Sequence, residues 1–142
     1  MKLFAWGLGY VAGRFHELTE NIELSGTSRT IESVTDWRGR GVRAHLFGDP
    51  GNQELIDDAA RADVWLCSVP PVNGRDPVVD YCIQARLHPA AFTIYLSATS
   101  VYGGNDGGFR DEFAPSDGTS PRGLARKTAE GEWSYLCGAA GR

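Results

Sequence analysis

Lys2-Leu3-Phe4-Ala5-Trp6-Gly7-Leu8-Gly9-Tyr10-Val11-Ala12-Gly13 opens the chain as a short apolar run that passes straight into a glycine-rich turn. The run has the length of a buried strand, and the turn has the glycine spacing of a phosphate-binding strand-to-helix connection. Gly7 lets the chain turn sharply out of the strand, and Gly9 lets the backbone approach a pyrophosphate with no side chain in the way. Ala12-Gly13 lets the following helix pack closely on the strand. That helix begins with unpaired N–H groups and the positive end of its dipole, both suited to an anion. Tyr10 and Val11 fall in the same turn and join Gly7, Gly9 and Gly13 as expected cofactor-binding positions. With 18 glycines in 142 residues, Gly-x-Gly alone says little, and its meaning depends on the elements around it.

Beyond the turn, strand alternates with helix. Leu3 to Trp6 reads as strand one, Val11, Phe15 and Leu18 recur at helical spacing, and Ile22 to Leu24 reads as a second short strand. Val42 to Phe47 gives a third strand, closed by Gly48-Asp49-Pro50-Gly51, and Gln53 to Arg61 has helix-forming composition. Asp63 to Val69 is a fourth strand stopped by Pro70-Pro71-Val72-Asn73-Gly74. Val78 to Leu87 reads as an amphipathic helix and Phe92 to Leu96 as a fifth strand. Alternation of this kind predicts an α/β fold with a doubly wound parallel sheet of about five strands in the order 3-2-1-4-5. Ligand is then expected at the carboxyl ends of strands one and four.

Length and composition bound the function. The 142 residues make one domain, with 42% hydrophobic and 23% charged residues as in an ordinary globular protein. A formal charge of −4 and the lack of a Lys/Arg-rich run argue against a nucleic-acid partner. No apolar run approaches the roughly 18 residues that span a bilayer, and the cytoplasm is the expected compartment. Cys67, Cys82 and Cys137 are odd in number and lack paired metal-ligand spacing, so neither a disulfide framework nor a zinc site is expected and they read as buried or incidental thiols. His16, His45 and His88 have no carboxylate or cysteine at ligand or triad spacing and read as structural or surface residues. Asp57-Asp58 and Asp111-Glu112 read as solvated charge pairs, and no metal site is expected.

The segment after strand two bears on the cofactor. A site built for NAD places Asp or Glu there to bind the ribose hydroxyls, whereas this chain has Ser25-Gly26-Thr27-Ser28-Arg29. Arg29 suits a 2′-phosphate, with Thr27 and Ser28 adding hydroxyls, so NADP(H) is favoured over NAD(H). Glu23 or Glu32 would serve a ribose if the strand boundary lay elsewhere. At the end of strand four, Ser68, Val69 and Pro70 are expected beside the same crevice.

Tyr95-Leu96-Ser97-Ala98-Thr99-Ser100-Val101-Tyr102-Gly103 resembles the strand-to-loop segment of the extended short-chain dehydrogenase/reductases, the NAD(P)-dependent epimerase/dehydratase group. Asp111-Glu112, Pro115 and the later Ala129-Glu130 continue the resemblance, and Gly7-Leu8-Gly9-Tyr10 with Ser68-Val69-Pro70-Pro71 points to an atypical subgroup. The resemblance implies a Rossmann-type domain over residues 1–142, adds Ser97 to the cofactor-binding positions, and implies hydride transfer on a small carbonyl or hydroxyl substrate such as a nucleotide sugar. It also implies a Tyr-x-x-x-Lys motif and a Ser or Thr hydroxyl. Here those positions fall on Arg122, Arg126 and Ala98. Thr99, Tyr102 and Lys127 are the remaining catalytic candidates. Arg122 and Arg126 suit an acidic group or a solvated helix face, and both readings stay open.

Ala125, Ala129, Trp133 and Leu136 recur at helical spacing near the end. The resemblance implies relatives about twice as long, so the chain looks C-terminally truncated, its sheet incomplete and its substrate region absent. Strand five is then an unprotected edge suited to self-association. Two functions remain: an NADP(H)-dependent oxidoreductase or epimerase, and a non-catalytic NADP(H)-binding module or inactive family fragment.

Overall fold

Each strand of this chain is only four to six residues long and gains stability only by pairing with its neighbours and burying both faces. The computed structural model describes residues 1–104 and 107–140. Its elements run β1 (Lys2–Trp6), α1 (Tyr10–Leu18), β2 (Glu23–Ser28), α2 (Ile31–Gly39), β3 (Arg43–Leu46), α3 (Gln53–Ala60), β4 (Val64–Cys67), α4 (Pro77–Ala85), β5 (Phe92–Tyr95), a single 3-10 turn (Thr99–Val101) and α5 (Pro121–Ala140). The strands form one parallel sheet in the order β3-β2-β1-β4-β5, as the alternation predicts. No helix among the described residues is long and apolar enough to cross a membrane.

Side chains of successive strand residues leave opposite faces, so each strand feeds two cores. On one face Phe4, Trp6, Trp65 and Cys67 pack under Leu55 of α3, Val78 and Cys82 of α4 and Trp133 of α5. Trp6 is wholly buried there, with the ring centres of Trp65 and Tyr81 at 5.2 and 5.6 Å. On the other face Leu3, Ala5, Leu24, Ala44 and Leu66 meet Ala12 of α1 and Val34 and Trp37 of α2.

Three expectations need correction. Val11, Phe15 and Leu18 do lie on a helix, but all three are exposed and Ala12 is its buried residue. Among the described residues that face carries only two helices, and on it Phe92 and Ile94 of β5, opposite Val64 and Leu66 of β4, are also left uncovered. The second strand is Glu23–Ser28 rather than Ile22 to Leu24, because Ser25, Thr27 and Ser28 are buried inside the sheet despite their polarity. Between β2 and β3 the chain forms α2, which apolar periodicity did not reveal. Only Val34 and Trp37 are buried on it, and Thr30 caps it by accepting from the Ser33 N–H.

Two buried carboxylates tie elements together, one joining helix to helix and the other helix to strand. Asp76, 0% exposed, caps α4 by accepting from the Val78 and Val79 amides, and its other oxygen accepts from Trp133 Nε1 on α5. Burial pushes this carboxyl up, against the opposing effect of those hydrogen bonds. Asp58 and His45 also depart from the sequence expectation of a solvated pair and an isolated histidine. Both are buried, with His45 Nε2 2.8 Å from Asp58 Oδ2. Arg43 and Arg61 donate to the same carboxylate. The chain folds this way because β3 and α3 bring positions 45 and 58 within hydrogen-bond distance.

Desolvation alone would raise the Asp58 pKa. Its hydrogen bonds with His45 and Arg61 and the charge of Arg43 outweigh that and hold it below the ordinary carboxylate value of 3.8. A depressed native pKa adds stability above the unfolded value and loses it as pH falls through the native one. Asp58→Asn is expected to cost about 3 kcal/mol at neutral pH. The difference between wild type and Asp58→Asn in urea melts shrinks as pH falls below about 4. Asp76, shifted the opposite way, is common to both proteins and leaves that difference unchanged.

Candidate functional site

The turn after β1 is built from backbone groups held on three sides. Gly7 has φ +98°, a left-handed conformation, and a Cβ there would lie 2.8 Å from Ser68 Oγ and 3.2 Å from a Val69 methyl. Its N–H donates to Thr27 Oγ1 at 3.1 Å, and the Leu8 N–H donates to the Thr27 carbonyl at 2.6 Å. From just past β4, Ser68 Oγ donates to the Gly7 carbonyl at 3.0 Å, and from α2 the Trp37 indole donates to the Leu8 carbonyl at 3.2 Å. Gly13 makes room for Trp37, whose ring edge lies 3.2 Å from where its Cβ would be, rather than for the strand. Gly9 stands just before α1 with no side chain capping the helix. A Cβ on Gly9 meets nothing within 4 Å, so it faces open space.

That open space belongs to a cleft of about 510 Å³ at the carboxyl ends of β1, β2 and β4. Of the positions expected from the sequence, Gly7, Gly9, Thr27, Ser28, Arg29, Ser68, Val69 and Pro70 line it together. Tyr10, Val11, Gly13 and Ser97 lie outside its lining, and the Ser97 hydroxyl is bonded to Glu130 on α5. Leu8, Thr30, Ser33, Phe47, Val72 and Pro77 line it without having been singled out from the sequence. A parallel-sheet rule applied to β3 would have found Phe47, since it points to every strand's carboxyl end. Arg29 is the charged residue in this lining and no Asp or Glu joins it. Its guanidinium is exposed and makes no ion pair among the described residues. Beside it the Ser28 and Ser33 hydroxyls are 3.1 Å apart. The arrangement offers helix N–H groups, hydroxyls and one cation, which is the chemistry of an anion site.

The catalytic candidates do not converge on this cleft. Tyr102 donates its phenol proton to the Asp111 carbonyl, Thr99 is exposed in the 3-10 turn, and Lys127 is half-buried on α5. Arg122 is exposed on α5, whereas Arg126 fits neither reading that the sequence left open. It is buried, with Nη1 donating to Tyr95 Oη and to the Leu96 carbonyl, each at 3.0 Å. Where the resemblance calls for lysine, this guanidinium ties α5 to the end of β5. Burial pushes the Tyr95 phenol up, against the Arg126 hydrogen bond, so Tyr95 stays protonated at neutral pH. Cys67 and Cys82 are buried and their thiols are pushed far up by desolvation. Among the described residues no group of three His, Cys, Asp or Glu side chains is placed to hold a metal.

No protein-family model and no curated protein matches the chain. Solved structures do. A functionally unknown conserved protein from Silicibacter pomeroyi is similar over 95% of this chain and 48% of its own, at 29% identity and a TM-score of 0.73. UDP-glucuronic acid 4-epimerase from Bacillus cereus, solved in complex with NAD, is similar over 96% of this chain and 52% of its own, at 16% identity and a TM-score of 0.64. MoeE5, in complex with UDP-glucose and NAD, gives 18% identity, 95% and 48% coverage and a TM-score of 0.60. The chain therefore shares their α/β fold and spans about half the length of each.

Two glycines only two residues apart are expected to behave oppositely. Gly7→Ala forces a side chain into a left-handed conformation against Ser68 and Val69 and costs about 2 kcal/mol, while Gly9→Ala changes stability by less than about 0.5 kcal/mol. Thermal melts of both variants check this.

Proposed function

We propose that the chain is the NADP(H)-binding unit of an oxidoreductase or epimerase of the NAD(P)-dependent epimerase/dehydratase group, acting on a small carbonyl or hydroxyl substrate such as a nucleotide sugar. The observation that carries this reading is the cleft over Gly7 and Gly9, which combines an uncapped helix start with Arg29 and no carboxylate. The residues present fit the dinucleotide. Gly9 and the first turn of α1 would face the pyrophosphate, and Ser68, Val69 and Pro70 would border the crevice on the β4 side. Arg29, Ser28 and Thr30 would hold a 2′-phosphate through charge-assisted and hydroxyl hydrogen bonds. The fold is shared with two structures solved in complex with NAD, which supports a nicotinamide dinucleotide. The bound cofactor supplies or accepts a hydride. The protein's part is to bind and orient it. Free thiols suit a reducing compartment and favour the cytoplasm.

A second reading, a cofactor-binding module without turnover, is favoured by one specific observation. Arg126 is committed to Tyr95 and Leu96, and a guanidinium does not exchange protons near neutral pH. Self-association is a further part of the proposal. β5 is an edge of the sheet with Phe92 73% and Ile94 49% exposed, and no proline or charge interrupts it.

Calorimetric titration is expected to show NADPH binding more tightly than NADH, and Arg29→Glu is expected to weaken NADPH by about tenfold or more while sparing NADH. NADH binding at least as tightly to the unmodified chain contradicts the assignment of Arg29. NADPH oxidation with carbonyl substrates separates the enzyme from the module. In light scattering the chain is expected to associate as concentration rises, and Ile94→Lys to reduce it. A monodisperse monomer at high concentration contradicts the edge-pairing proposal.

A further inference from the structure

Trp6, Trp65 and Trp133 stand in file through the core under α3, α4 and α5. Phe47 lines the cleft, and its ring centre lies 6.3 Å from that of Trp6, the residue before Gly7. From Trp6 the next centre is Trp65 at 5.2 Å, and from Trp65 it is Trp133 at 6.5 Å. All of these indoles are buried. Packing accounts for the rings but not for the order in which their N–H groups are partnered. Among the described residues Trp6 Nε1 is buried with no hydrogen-bond partner, and such a group calls for a reason. Trp65 Nε1 donates to the Ala59 carbonyl at 2.8 Å, and Trp133 Nε1 donates to Asp76 Oδ2 at 3.0 Å. The file therefore runs from no acceptor, to a neutral carbonyl, to a carboxylate.

That order has a chemical direction. An indole that loses an electron becomes a cation with an acidic N–H, and a cation in an apolar core is costly unless it is neutralised. Trp6 has nothing to take the proton, and an amide carbonyl is too weak a base to take it from Trp65. Only Trp133 meets a base. Asp76 Oδ1 accepts from the Val78 and Val79 amides and Oδ2 from Trp133, so donors surround it as they do an ionised carboxylate. Its burial favours the neutral acid once a proton arrives. The side branches offer no such acceptor. Tyr81, 5.6 Å from Trp6, donates its phenol proton to the Asp49 carbonyl. Tyr95, 6.1 Å beyond Trp133, has the Arg126 guanidinium over its ring, and that fixed positive charge opposes a second one.

We propose that Trp6, Trp65 and Trp133 are a one-electron relay that carries an oxidising equivalent out of the cleft to Trp133, with Asp76 as the proton acceptor. The oxidant is an oxygen-centred radical in the cleft, which takes one electron from Trp6 and becomes an anion. Trp65 refills Trp6, Trp133 refills Trp65, and the Trp133 indole proton passes to Asp76 Oδ2. The products are the reduced oxidant, a neutral Trp133 radical and a neutral Asp76, so the core ends with one charge fewer. The relay uses only the cleft and the core and does not rest on which ligand the cleft takes.

A photo-oxidant placed at the cleft tests it. A ruthenium(II) polypyridyl is attached through Val72→Cys, an exposed position that lines the cleft, in a Cys137→Ser background that leaves only the buried native thiols. Laser flashes with hexaammineruthenium(III) as quencher generate the oxidant there, and transient absorption with electron paramagnetic resonance reads the radical. A neutral tryptophan radical is expected. Trp65→Phe and Trp133→Phe are each expected to abolish it, and Asp76→Asn, which can still cap α4, to leave a tryptophan radical cation in its place. A tyrosyl radical, or no radical, in the chain with its core unsubstituted overturns the relay. So does a neutral tryptophan radical that persists in either folded phenylalanine variant or in Asp76→Asn. The Asp76→Asn comparison keeps every indole of the file and decides the matter if a phenylalanine variant fails to fold.

Discussion

A chain that leaves a buried strand by a sharp turn must find partners for the backbone groups exposed there, because unpaired amides in a core are costly. At the end of β1 those partners come from both flanking strands and one helix. Thr27 on β2 takes the Gly7 and Leu8 amides, Ser68 just past β4 takes the Gly7 carbonyl, and Trp37 on α2 takes the Leu8 carbonyl. These four contacts explain several choices that look odd in isolation. A buried threonine inside a strand, a tryptophan on a weakly amphipathic helix and a left-handed glycine all serve one turn. Because its backbone is paired from below and behind, the turn leaves the cleft side open, with Gly9 facing nothing.

The remaining polar groups of the interior sort by what they hold. Asp58 and His45, with Arg43 and Arg61, join β3 to α3. Asp76 joins α4 to α5. Arg126 joins α5 to β5. Helix α5 is thus connected through charged side chains both to the start of α4 and to the edge strand. Arg126, at the position where the resemblance implies a lysine, carries architecture.

Much of the fold was legible because Leu3–Trp6 and β4 are uninterrupted apolar runs, β5 is broken only by Thr93, and glycine or proline stands close by each, and because helices between parallel strands follow from chain geometry. Arg29 and Ser68 were legible as cleft residues for the same reason, since they follow the ends of strands that the topology places side by side. Other features had no local signature. Helix α2 buries only Val34 and Trp37, too few to set a period, although the crossover from β2 to a parallel β3 requires an element there. The stripe Val11, Phe15 and Leu18 marks a helix correctly but says nothing of which helices share its face. Asp58 and His45 are 13 residues apart and meet only because two elements cross. Phe47 and Val72 look like core and turn residues in one dimension, and their shared cleft exists only in three.

The proposed function stands or falls with a dinucleotide lying over the glycine turn at the carboxyl ends of β1, β2 and β4. An NMR titration of the isotope-labelled chain with NADPH, followed through backbone amides, tests this most directly. Saturable shifts are expected at Gly7 to Tyr10, at Thr27 to Ser33 and at Ser68 to Val72, with the amides around Asp58 unmoved. Shifts absent altogether, or concentrated away from those three segments, would contradict it.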